Sequence, residues 1–200
     1  MTTKPKKQVV LSTIPKAQQE RVMELARKQT ARADGPPMKL RIVDGVVQIS
    51  FTHAEPALAH ILMMADLGTC DPHFLKGVQG QVASTGTHGR KIDEVASNFL
   101  LSVVRGVQPR DELEAMLAVQ MGAIHQATMM MARRLNHVDN IAQQDAAERA
   151  LNKLARTYAT QMESLKRYRT GGQQKVTVEH VTVNEGGQAI VGAVTQGGAG

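Results

Sequence analysis

The chain has 200 residues, of which 42% are apolar, 21% are charged and 2% are aromatic, and its net charge is +6. A single cysteine excludes an internal disulfide framework, and the scarcity of aromatic residues weakens any function that depends on stacking nucleic-acid bases. The positive charge indicates an acidic partner, while eleven methionines and few aromatics favour a mainly α-helical core.

Residues 1–37 are predicted to form a basic tail and a helix. Ser12 and Thr13 precede Pro15, a pattern typical of a helix start, and the helix is expected to run to about Ala33, before the sequence DGPP ends it. One face of this helix is apolar, and it carries Val22, Leu25 and Ala26.

Positive charge is concentrated in this part of the chain. Residues 1–41 hold ten Lys or Arg and three acidic residues, so the rest of the chain has a net charge of −1. Such a cluster can bind phosphates in a salt-dependent way, although a solvated tail and helix face explains it equally well. The candidate nucleic-acid-binding residues are Lys4, Lys6, Lys7, Lys16, Arg21, Arg27, Lys28 and Arg32.

Residues 38–108 are predicted to form a small β-hairpin followed by short helices. The strands are residues 39–43 and 46–51, joined by a type I′ turn at Asp44 and Gly45. Helices are expected from Pro56 to about Leu67, from Pro72, and over residues 92–105, the last ending at Gly106. Their expected inward residues are Leu58, Ile61, Leu62, Ala65, Phe74, Leu75, Val78, Val82, Ile92, Val95, Ala96, Phe99, Leu100 and Val103.

Residues 109–170 are predicted to form a long antiparallel αα-hairpin with a short turn at residues 136–140. Apolar residues recur at spacings of three and four in both halves, which is typical of packed helices. The second half is striped at Ala147, Leu151, Leu154, Tyr158, Met162, Leu165 and Tyr168. We expect an oligomer interface in the first half at Leu113, Leu117, Met121, Ile124 and Met131.

Residues 171–200 are predicted to form a β-hairpin and a flexible end. Over 175–183 the sequence alternates apolar and polar residues with a phase slip at Glu179 and His180, which suggests a bulge or a change of face. Residues 188–195 can return as a second strand. Because two strands are marginal alone, we expect them to pair with the first hairpin or with the same hairpin of other subunits. The interface residues expected here are Val176, Val178, Val181, Val183 and Ile190.

Motifs that carry catalysis or metal binding are not found. The seven histidines form no HxxxH or HExxH pair, and the sequence contains no P-loop and no GxSxG. We interpret Cys70 as a small buried residue and His125 as a core or interface residue. The sequence therefore predicts no catalytic residue, metal or cofactor, and a small enzyme built around Cys70, His73 or His125 is the least favoured hypothesis.

Three sequence stretches resemble a family of uncharacterised proteobacterial proteins encoded on chromosomes and mobile elements. They are LSVVRGVQPRDELEAMLAVQM at 101–121, LKRYRTGGQQKVTVEHVTV at 165–183 and GGQAIVG at 186–192, within a resemblance that spans about residues 55–195. This resemblance implies no activity. The order of elements is also similar to that of phage small-terminase subunits, which implies a ring of helical hairpins, a barrel of terminal strands and DNA binding by the N-terminal part, although residues 15–53 lack a clear helix-turn-helix.

These observations favour a non-enzymatic, self-associating helical protein that binds DNA or RNA through its basic N-terminal region. The alternative is a structural or protein-interaction subunit that assembles through the helical hairpin and the C-terminal β-hairpin, without nucleic acid. No apolar run reaches the roughly 18 residues that a membrane helix needs. We therefore expect a cytoplasmic homo-oligomer with no membrane partner.

Overall fold

The computed structural model describes residues 15–32, 35–87 and 92–171, and within them the fold is mainly helical with one antiparallel β-hairpin. In chain order the elements are α1 (Lys16–Arg32), β1 (Met38–Val43), β2 (Val46–Phe51), α2 (Pro56–Asp66), α3 (Pro72–Thr85), α4 (Glu94–Val107), α5 (Glu112–Leu135) and α6 (Ile141–Thr170). The predicted C-terminal hairpin, with its interface residues, lies outside the described residues. Within the described part of the chain, no helix has both the length and the apolar character needed to cross a bilayer.

The β-hairpin agrees with the sequence prediction. β1 and β2 pair in antiparallel fashion with Val43 opposite Val46 and Met38 opposite Phe51. Asp44 and Gly45 both have positive φ, 51° and 78°, as a two-residue type I′ turn requires. The turn therefore fixes the register, and it places Met38, Leu40, Ile49 and Phe51 on the face that packs against the helices.

One hydrophobic core joins the hairpin to α2, α3, α4 and the first half of α5. Its buried residues extend from Met38 and Leu40 in β1 to Ala118 and Val119 in α5. The first turns of α5 therefore share a core with the region we predicted as residues 38–108. In α3, the predicted inward residues Leu75, Val78 and Val82 are buried, and Phe74 is half-buried.

Two predicted helix faces are only partly right, and Ile92 before α4 packs against the core as predicted. In α2 the buried residues are Ala59 and Met63, whereas Leu58, Ile61 and Ala65 are exposed. In α4 the predicted Leu100 is buried together with Leu101 and Val104, whereas Val95 and Phe99 are exposed. Both helices carry apolar side chains on more than one side, so the periodicity alone cannot select the face that meets the core.

The end of α4 also differs from the prediction. The helix passes through Gly106 and ends at Val107, and Gln108 takes the left-handed conformation with φ 52°. The N–H of Gln108 bonds to the carbonyls of Val104 and Arg105, which satisfies two of the last acceptors of the helix. A non-glycine residue thus supplies the C-cap that we assigned to Gly106.

The αα-hairpin is present as α5 and α6, joined by residues 136–140. Met121 is buried within the single chain, Leu117, Ile124 and Met131 are half-buried, and Leu113 is 57% exposed. Their role in an interface between subunits stays a prediction. The stripe of α6 is shifted in its second half, where Gln161 and Arg169 are half-buried and Met162 and Tyr168 are exposed.

Candidate functional site

The candidate nucleic-acid interface is helix α1. Lys16, Arg21, Arg27 and Lys28 are all exposed along it, and Arg32 is its last residue. The predicted contacts Lys4, Lys6 and Lys7 lie outside the described residues. Between residues 15 and 31 every side chain is exposed except the half-buried Gln19, so the helix offers its basic residues to solvent.

The basic residues of α1 are positioned to contact phosphates. Arg21 and Lys28 are seven residues apart, which places them on one side of the helix about 10 Å apart. Lys28 Nζ pairs with Glu24 at 2.6 Å, but both side chains are largely exposed, at 71% and 65%. Exposed pairs of this kind contribute little, so a phosphate can replace the Glu24 carboxylate as the partner of Lys28.

Three apolar side chains of α1 are also uncovered, and Leu25 lies on the same side of the helix as Arg21 and Lys28. Val22, Met23 and Leu25 are 43%, 48% and 59% exposed. An isolated amphipathic helix of this length has marginal stability in water. Covering these three side chains with a partner surface would stabilise the helix as well as bury apolar area.

A partly buried ion pair holds Gly35 and Pro36 against the core. Asp66 Oδ2 accepts hydrogen bonds from Arg105 Nε at 2.7 Å and from the N–H of Gly35 at 3.0 Å, and Arg105 Nη2 donates to the Pro36 carbonyl at 3.0 Å. A Cβ on Gly35 would lie 2.5 Å from Asp66 Oδ2. Glycine at position 35 therefore allows the close approach that ties Gly35 and Pro36 to α2 and α4.

A second polar cluster joins the end of α6 to the start of α5. Arg169 bonds to both carboxylate oxygens of Glu114, a residue that is 2% exposed. The Glu114 carboxylate also accepts from the N–H of Arg110, and Tyr168 Oη donates to Asp111 Oδ2 at 3.0 Å. Asp111 is the N-cap of α5, where its other oxygen accepts from the N–H of Glu114.

These contacts determine how the cluster titrates. The hydrogen bond from Arg169 holds the pKa of Glu114 below its ordinary value, although burial opposes this shift. The hydrogen bond from the Glu114 N–H likewise lowers the pKa of Asp111, and the bond to Asp111 raises the pKa of Tyr168. A carboxylate kept ionised by a guanidinium is a poor proton donor at neutral pH, so the cluster is suited to holding helices together rather than to acid catalysis.

His125 lies in an aromatic cluster beside an apolar groove. Its ring is half-buried, with centroids 6.0 Å from Phe99 and 6.1 Å from Tyr158. The groove has a volume of about 540 Å³, and Phe99, Met129, Met130 and Arg133 are among the residues that line it. This placement between α4, α5 and α6 agrees with the interpretation of His125 as a packing residue.

Cys70 is exposed in the loop between α2 and α3, so its predicted burial is wrong. The loop turns at Gly68, and Thr69 Oγ1 donates to Glu112 at 2.6 Å, which leaves the next side chain outside the core. His73 lies in the first turn of α3, where its N–H bonds to Asp71 Oδ1. Within the described residues, no group of three or more His, Cys, Asp or Glu is placed to hold a metal ion.

Sequence reasoning missed the polar residues that organise the fold. The sequence assigns no partner to Arg105, and it favours solvation or an inter-helix salt bridge for Arg169; both residues are the centres of ion-pair clusters. For Arg169, a signal was present in its position four residues after Leu165, on the stripe of α6. Comparisons of the chain with protein-family models, with curated proteins and with solved structures find no match.

Proposed function

We propose that this chain is a non-enzymatic, self-associating helical protein that binds the phosphates of DNA or RNA through its basic N-terminal region. The observation that carries the proposal is the exposure of Lys16, Arg21, Arg27 and Lys28 on α1, next to a tail that adds Lys4, Lys6 and Lys7. Neutralising phosphates with Lys and Arg releases counterions, which yields affinity without contacts to bases. The scarcity of aromatic residues is consistent with this mode of binding.

The test is a salt titration of binding to a labelled duplex and a labelled single strand, read by fluorescence anisotropy of the full chain. Arg21→Gln with Lys28→Gln removes two positive charges from one side of α1. The matched control, Arg134→Gln with Arg149→Gln, removes two exposed positive charges from α5 and α6. Log affinity falls as log salt rises, and we expect the α1 variant to make this slope less steep by about 2. The control should leave the slope unchanged.

Two results would contradict phosphate binding by α1. One is the absence of binding to either probe at about 50 mM salt, where phosphate contacts are strong. The other is an equal effect of the α1 variant and its control, which would show that binding depends on net charge rather than on this helix.

A second candidate function is a protein-interaction subunit that does not bind nucleic acid, and the uncovered apolar side chains of α1 favour it. Val22→Gln with Leu25→Gln should then reduce the native mass measured by light scattering, because the apolar contact between copies is lost. Val95→Gln is the control, since Val95 is an 81% exposed apolar residue on α4. Loss of assembly together with no nucleic-acid binding by the wild type would favour this candidate, and a wild-type monomer would contradict self-association.

A further inference from the structure

The two edges of the β-hairpin differ in how their backbone groups are satisfied. On the β1 edge, Asn98 of α4 accepts from the Met38 N–H and donates to the Met38 carbonyl, both at 2.8 Å. Glu94 of the same helix accepts from the Leu40 N–H at 3.2 Å. Side chains of α4 therefore close this edge against pairing with another strand.

The β2 edge is open. The turn at residues 44 and 45 makes Val43 and Val46 a hydrogen-bonded pair, and the bond from the Thr52 N–H to the Pro37 carbonyl continues this alternation. Val47 and Ile49 belong to the intervening pairs, so their N–H and C=O groups point away from β1. No group of the described residues bonds to these N–H groups, which leaves a row of donors and acceptors ready for a third strand.

A groove runs beside this open edge, between β2 and α3. Two adjacent cavities of about 550 and 380 Å³ share Val47, Ile49 and Gly80 in their walls. A Cβ on Gly80 would meet no atom within 4 Å, so the groove is open above α3. Gln79, which is 8% exposed, lines it and has an Nε2 without an acceptor among the described residues, a donor that an oxygen of a docked segment can satisfy.

A series of contacts links the end of α6 to one end of this groove. Arg169 and Tyr168 bond to residues 107–114, and the loop between α2 and α3 contacts the same segment, since a Cβ on Gly68 would lie 2.5 Å from the Pro109 carbonyl oxygen. That loop leads to Pro72, which lines the groove. From Gly171, residues 172–174 can span about 10 Å, and residues 175–183 can span about 30 Å, compared with about 21 Å for α3.

We propose that residues 175–183 of the same chain add to the open edge of β2 as a third strand, with alternate side chains in the groove over α3. The sequence KVTVEHVTV supplies four β-prone valines in two alternating runs, whose phase changes at Glu179 and His180, and this segment follows α6 after only four residues. A two-stranded unit gains stability from a third strand, and the β2 edge is the one that α4 leaves available for it. This inference goes beyond the proposed function, and it replaces the predicted contact of these valines between subunits with an intramolecular one.

The test is amide hydrogen exchange of the full chain, followed by NMR. The Val47 and Ile49 amides are expected to exchange at least about 100-fold more slowly than unstructured amides. Thr177→Pro and Val178→Pro each remove one N–H, and because successive N–H groups face opposite edges, one of the two removes a hydrogen bond to β2. At least one variant should therefore lose the protection, while the control Gly198→Pro keeps it.

The Met38 and Leu40 amides report on the fold in the same spectra, because their acceptors lie on α4. They should stay protected in every variant. Unprotected Val47 and Ile49 amides in the wild type, or protection that survives both proline variants, would overturn the proposal. Protection that disappears on dilution would also overturn it, since the strand would then come from a second copy.

Discussion

Arg169 donates hydrogen bonds to both carboxylate oxygens of Glu114, from Nε at 3.2 Å and from Nη2 at 2.8 Å. The same Nη2 reaches the carbonyls of Val107 and Gln108 at 2.8 and 3.2 Å. One side chain in the last turn of α6 thereby joins the first turn of α5 to the end of α4. This contact joins α5 and α6 at the end of the hairpin that lies opposite its connecting turn. It also holds Gly171, the last described residue, near the core.

Glu114→Gln is predicted to destabilise the protein by about 2 to 3 kcal/mol. The glutamine keeps one acceptor but removes the charge, which leaves the partly buried Arg169 guanidinium without its counter-ion. The measurement is chemical unfolding followed by circular dichroism. Glu148→Gln is the control, because it removes an exposed carboxylate from α6 and should change the free energy of unfolding by less than about 0.5 kcal/mol. Equal effects of the two substitutions would show that the Glu114–Arg169 contact adds little.

The same carboxylate predicts a loss of stability in acid. The pKa of Glu114 is lowered in the folded protein from its ordinary value of 4.5, first by the hydrogen bond from Arg169, so the folded state binds the proton less readily than the unfolded state. Its contribution is therefore complete above about pH 4.5 and is lost as the pH falls through the lowered pKa. The free-energy difference between wild type and Glu114→Gln should shrink as the pH is lowered from about 6 to about 3. A difference that stays constant would contradict this assignment.

The elements that the sequence predicts well are those set by local chemistry. Asp44 and Gly45 define the turn, and Pro56 and Pro72 lie in the first turns of α2 and α3. The buried faces of α2 and α4 could not be predicted in this way, because each helix carries apolar side chains of its own on more than one side. Only the packing of other elements against them, such as α3 on α2 and α5 on α4, decides that Met63 and Val104 are buried rather than Ile61 and Val95.

The candidate site likewise has a part that could be predicted from the sequence and a part that could not. The basic residues of α1 are visible in the sequence because charge and helical spacing are local properties. The contacts that tie Gly35, Pro36 and α6 to the core are not, since Arg105 and Asp66 are 39 residues apart and Arg169 and Glu114 are 55 apart. Local spacing carries no information about such partners, so the sequence could not identify Asp66 or Glu114 as the partner of either arginine. The open edge of β2 could not be predicted from the sequence either, because long-range packing decides that α4 covers the edge of β1 and not that of β2.

Two glycines should respond to alanine in opposite directions. Gly68 has φ +60°, and a Cβ there would lie 2.5 Å from the Pro109 carbonyl oxygen and 2.8 Å from the carbonyl carbon of Arg110. Gly68→Ala combines left-handed strain with a backbone clash, so we expect a destabilisation of about 2 kcal/mol or more. Gly77 lies within α3 with no atom within 4 Å of an added Cβ, and Gly77→Ala should stabilise the protein by about 0.5 to 1 kcal/mol. Chemical unfolding of both variants measures the pair, and a stable Gly68→Ala protein would show that the loop between α2 and α3 does not pack against Pro109 and Arg110 as described.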